Sequence, residues 1–95
     1  MWGGVQDIVC ERFTGNLASI AAGGQGTLTV SNISKSGYEP LIAIYGGQST
    51  SAKLVPQMTA TAVNNGSASF YIANTGTSAS VANIECNIRV LFVKK

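Results

Sequence analysis

The stretch VANIECNIRVLFV, Val81 to Val93, places Ala82, Ile84, Cys86, Ile88, Val90 and Phe92 on every second position. Side chains of a β-strand alternate between two faces, so a period of two reads as one long strand with a continuous apolar face. Asn83, Glu85, Asn87 and Arg89 line the other face. Near the end that second face also turns apolar, at Leu91 and Val93, which calls for something to cover it.

Working outward, Thr27 to Ile33 sets Leu28 and Val30 against Thr27, Thr29 and Ser31, the half-buried pattern of an antiparallel sheet. Ser34-Lys35-Ser36-Gly37 has turn composition, and Pro40 holds Glu39 extended. Leu41 to Tyr45 is apolar on both faces, so this strand should be buried twice over or lie at a subunit contact. Gly46 to Ser51 reads as a loop. From Lys53 to Val63, Leu54, Met58, Ala60 and Ala62 alternate with Gln57, Thr59 and Thr61, while Pro56 suits an edge or a bulge. Asn64-Asn65-Gly66 tolerates positive φ and predicts a hairpin turn into a partner strand, Ser67 to Ala73, with Ala68, Phe70 and Ile72 inward. The earliest segment, Val5 to Phe13, has the least defined register.

Six or seven short strands with frequent turns predict an all-β chain, an antiparallel β-sandwich of jelly-roll-like form. Ninety-five residues allow one core, so residues 1–95 are read as a single domain, with 1–15 a possible linker to a preceding stalk.

Composition removes whole classes of function. Histidine is absent, which excludes Ser-His and Cys-His pairs and His-containing zinc sites. Cys10 and Cys86 are too few for a thiolate cage and too far apart for a CxxC motif, so packing inside the strands is the favoured reading, with a disulfide between first and last strands as the alternative. The four acids, Asp7, Glu11, Glu39 and Glu85, are scattered, and a carboxylate pair would need the fold to assemble it. A net charge of +2 is too weak for nucleic acid. No run is long enough for a membrane span, and the amino terminus lacks a signal-peptide pattern. The expectation is therefore a non-enzyme with no catalytic residue, no metal and no cofactor. Gly23-Gly24-Gln25-Gly26-Thr27 lacks the lysine and helix of a phosphate loop, and the glycosylation-like triplets at Asn32 and Asn65 stand without a secretory signal.

Among the aromatics, Phe70 and Phe92 follow the inward alternation. Tyr45 and Tyr71 carry a ring that could stack on a sugar or line an interface. The candidate binding residues are Tyr45, Gln48 and Asn65. The candidate oligomer contacts are Leu41, Ile42, Ile44, Leu91 and Val93, because a small β-domain with only 11% charged residues has surplus apolar surface that identical subunits can cover.

The segment Ile20-Ala21-Ala22-Gly23-Gly24, then Thr27-Leu28-Thr29-Val30, then Ser34-Lys35-Ser36-Gly37-Tyr38-Glu39-Pro40-Leu41 resembles a stretch of the small β-sandwich domains that end bacteriophage tail and fibre proteins. Asn74-Thr75-Gly76, Ser80-Val81 and Ile88 to Lys94 resemble their closing strands, so the likeness spans most of residues 16–95. The resemblance implies a homotrimeric virion appendage, assembled in a bacterial host cytoplasm, that presents loops to a surface receptor such as a glycan and contacts other virion proteins. Neither nucleic-acid binding nor membrane insertion is expected, on the weak charge and the short apolar runs described above. A capsid decoration or baseplate component, and a cellular carbohydrate-binding module, are the rival readings.

Overall fold

Positive-φ residues punctuate this chain, and apart from Gly47 the strands run between them. The structure is a computed structural model and describes residues 7–49, 53–80 and 83–95. The strands are β1 (Ile8–Leu17), β2 (Gln25–Val30), β3 (Tyr38–Gln48), β4 (Leu54–Pro56), β5 (Ala60–Ala62), β6 (Ala68–Asn74) and β7 (Ile84–Lys94). They form two antiparallel sheets, ordered β1-β7-β3-β5 and β2-β6-β4. Odd strands fill one sheet and even strands the other, so each connection crosses the sandwich. This is the strand order of a jelly roll with one strand of the second sheet left out.

The expected inward stripe of β7 is the core. Ile84, Cys86, Ile88, Val90 and Phe92 are all at most 2% exposed, in one cluster with Leu28, Val30, Phe70 and Ile72 of the other sheet. The strand starts at Ile84, later than the alternation suggests, because Asn83 takes a left-handed φ of 59°. Val81 and Ala82 lie outside the described residues. Asn32 (φ 59°) likewise ends β2 at Val30, yet Ile33 stays buried beyond it, its N–H donating to Gly66 O at 2.9 Å.

Two expectations fail for identifiable reasons. Gly46 to Gln48 continue β3 instead of forming a loop, because a bulge between Tyr45 and Gly47 re-registers the strand on β7. Gly47 has a φ of 143°, and a Cβ on Gly46 would press on the Asn87 side chain and stand 3.1 Å from its backbone oxygen, so both positions suit glycine.

Lys53 to Val63 is not one alternating strand. β4 pairs with β6, then past Pro56 the chain leaves that sheet and β5 pairs with β3. Crossing the corner flips the parity. Leu54 is buried, but opposite Ala43 it is Thr61 that faces inward, while Ala60 and Ala62 share the outer face with Ile44 and Ile42. This corner closes one side of the sandwich. The Asn64–Ser67 turn forms as expected, with Asn65 (φ 54°) and Gly66 (φ 77°) central and reciprocal bonds of 2.9 and 3.0 Å. It does not open a hairpin ladder, because β6 continues in the other sheet, against β2 and β4.

Residues 8–17, which overlap the expected linker region of 1–15, form edge strand β1, ten residues in register with β7. β1 begins and β7 ends at the same pole, where Lys94 N–H donates to Asp7 O at 2.8 Å. The 31–37 and 63–67 turns share this terminal pole, and the ends of β1, β3 and β6 share the far one.

Candidate functional site

Pairing register decides which side chains share the outer face of the four-stranded sheet. Three rows run across it: Ile8, Val93 and Glu39; then Cys10, Leu91, Ile42 and Ala62; then Arg12, Arg89, Ile44 and Ala60. Ile42, Ile44, Leu91 and Val93, expected at an oligomer contact, are thus brought onto one face. Leu41, at the bulge between Pro40 and Ile42, is exposed beside them. Ile8 and Leu41 are 59% exposed and Ile44 39%. Further along the face the rows become polar, Thr14 with Asn87 and Gly47, then Asn16 with Glu85.

Ile8 and Cys10 were not among the expected contact residues, because without the β1 register their side of the sheet was undefined. That register also removes the disulfide alternative and half of the packing reading. Cys10 sits opposite Leu91 on the outer face and is exposed, whereas Cys86 sits opposite Gly15 and is buried, so both are free thiols.

Tyr45 and Gln48 are brought together by the second bulge of β3, on the inner side near the far pole. The Tyr45 ring packs on Phe70 at 5.8 Å, its hydroxyl donates to Gln48 Oε1, and Gln48 Nε2 donates to Leu54 O at 2.8 Å. The pair thus ties the end of β3 to the start of β4. Burial pushes the Tyr45 phenol well above its ordinary pKa, and the neighbouring Cys86 thiol adds to the rise. Burial also raises Cys86, against the lowering effect of its hydrogen bond with Tyr45. A thiol kept protonated in an apolar setting is inert as a nucleophile. Asn65 lies in the turn at the terminal pole, the opposite end from Tyr45 and Gln48. Tyr71 is exposed on the outer face of the other sheet, opposite Thr27. Trp2 lies outside the described residues.

Asn74 organises the far pole, a role its place in a turn motif did not disclose. It is 3% exposed. Its Nδ2 donates to Ile20 O and to Ser78 O, each at 2.9 Å, and its Oδ1 accepts from Gly76 N–H at 2.9 Å. Its backbone pairs with Gly23 and Gly24. Ser80 completes the tie, its Oγ accepting from Ile20 N–H at 2.8 Å. Beside this network lies a cleft of about 280 Å³ walled by Lys53, Asn74 and residues 76–80. The one legible signal was Asn74 two residues before Gly76, the spacing of an Asx turn.

Among the described residues no three His, Cys, Asp or Glu side chains gather as for a metal ion. The acids stay apart: Glu11 pairs with Lys35 at 3.2 Å, and Glu39 and Glu85 lie at opposite ends of the outer face. Comparison with protein-family models, with curated proteins and with solved structures finds no match for this chain.

Proposed function

We propose that this domain is a non-catalytic attachment module of a phage virion, tethered at its terminal pole and presenting its far pole to a bacterial surface glycan. The observation that carries this reading is the segregation of the poles. β1 begins and β7 ends at one end of the sandwich, while the ends of β1, β3 and β6 and the cleft beside Asn74 lie at the other. The residues around the cleft include Lys53, Asn74, Thr77, Ser78 and Ser80, side-chain types that suit a hydroxyl-rich ligand. Tyr45 and Gln48 support this end by fixing the approach to β4. One shallow site is weak, and several identical copies raise its avidity by roughly 10²–10⁴ where geometry lets them engage together. The exposed sheet face favours a second reading, in which the domain is a structural virion component that works through association with other virion proteins.

Labelled domain applied to a glycan array and to a panel of bacterial cells tests the proposal. Lys53→Glu or Ser78→Trp should lower binding at least tenfold, and Asn65→Ala should leave it intact. Binding confined to purified capsids or tails, or binding unmoved by both far-pole changes, sinks the attachment reading.

A further inference from the structure

We propose that a second copy of this chain docks on the outer face of the four-stranded sheet, turned end for end, with Glu39 of each copy paired to Arg89 of the other. The first argument is apolar. Ile8, Leu41 and Ile44 are exposed around Cys10, Leu91, Ile42, Ala60 and Ala62, a patch that a monomer rarely leaves to water. Its chemistry suits another apolar sheet, since stacked sheets pack roughly 10 Å apart by interleaving such side chains.

The second argument is charge. Arg12 and Arg89 are direct cross-strand partners, and like charges placed so repel. The one ion pair among the described residues is Lys35–Glu11, so neither arginine is neutralised within its own copy. Glu39 and Glu85 stand on the same face, so its strands carry two positive and two negative groups. A balanced face fits a partner with the same face.

Register then selects the arrangement. The Glu39–Val93 row and the Arg12–Arg89–Ile44 row lie one on each side of the Cys10–Leu91–Ile42–Ala62 row. Rotation of a second copy about that middle row lays one flanking row on the other. Strand for strand, Glu39 is then offset sideways by one strand spacing, about 4.8 Å, from Arg89 of the other copy, and across sheets roughly 10 Å apart their backbones lie about 11 Å from each other, a gap that two extended side chains span. The contact is made twice, as a two-fold interface requires. The strands of this sheet are uneven, β5 having three residues against ten or eleven in β1, β3 and β7, and the turned copy covers only the part around the middle row, so a pair buries under about 1,200 Å², the range of weak, concentration-dependent interfaces. This geometry favours a pair over the three copies that composition and family resemblance suggest.

Charge reversal tests it. By sedimentation at tens of micromolar, wild-type protein should run at about 20 kDa, twice the 9.8 kDa chain. Arg89→Glu and Glu39→Arg should each run as monomers with unchanged near-ultraviolet circular dichroism. An equimolar mixture of the two variants, or the double variant, should return to about 20 kDa. Cys10 should alkylate at least tenfold more slowly in the pair than in either monomeric variant. A wild-type monomer, an assembly of about 29 kDa, a mixture that stays monomeric, or equal Cys10 reactivity throughout overturns the proposal. The pairing does not depend on the far pole, so its failure leaves the attachment reading standing, and loss of cell binding with the pair intact leaves this one standing.

Discussion

Asn74 shows how much one polar side chain can hold. Its amide serves three partners on two connections, so removing it strips Ser78 O and Gly76 N–H of their part-buried bonds and takes the buried bond to Ile20 O, which Ser80 N–H still serves at 2.9 Å. Each such loss costs about 1–3 kcal/mol where water cannot enter. Asn74→Ala should therefore lower unfolding free energy by about 2–4 kcal/mol in urea titration, whereas Thr77→Ala, at an exposed position, should change it by less than about 0.5 kcal/mol. Tyr45 gives a pH signature. Its raised pKa means the folded chain keeps a proton that the unfolded chain releases near pH 10, so stability present at neutral pH falls as pH climbs past about 10. Cys86 adds a loss of the same sign, starting near the ordinary thiol pKa. Tyr45→Phe should cost about 1 kcal/mol at pH 7 through the lost bond to Gln48, yet flatten the alkaline limb of a stability-against-pH curve.

At the level of elements, β7 is the best-read part of the chain because strict alternation leaves one way to bury it. Its five inward side chains were all identifiable from spacing, as were Phe70 and Ile72 of β6. Phe92→Ala should cost about 3–5 kcal/mol, and Val55→Ala, on a side chain 42% exposed, less than about 1. Flanked by β1 and β3, β7 should hold the slowest-exchanging amides, and the three-residue β4 and β5 among the fastest of the strands. Spacing failed where a local rule is overridden by partners far off in sequence. Ala60 and Ala62 look inward by continuity from Leu54, but the passage from one sheet to the other inverts them. Gly46 and Gly47 look like a loop until Asn87 shows why a side chain is excluded at Gly46 and a φ of 143° why glycine is favoured at Gly47. Of the outer face, Ile42, Ile44, Leu91 and Val93 were legible because they broke the polar alternation. Ile8 and Cys10 were not, since their membership depends on register with β7.

For the molecule as a whole, the antiparallel sandwich followed from turn spacing, while the strand order did not, because nothing local says which strand lies beside which. That order places β1 and β7, the first and last strands, side by side, and it is what gathers the chain ends at one pole. A mechanical consequence follows. Pulled apart by its own two ends, the domain would open like a zip, since β1 and β7 part from their shared tip and break their ten registered pairs in turn. Dragged instead between the far loops and its ends, it must slide the whole ladder at once. In single-molecule stretching, the first geometry should yield at a much lower force than the second, so a tether at the terminal pole suits the fold to loads arriving from the opposite side.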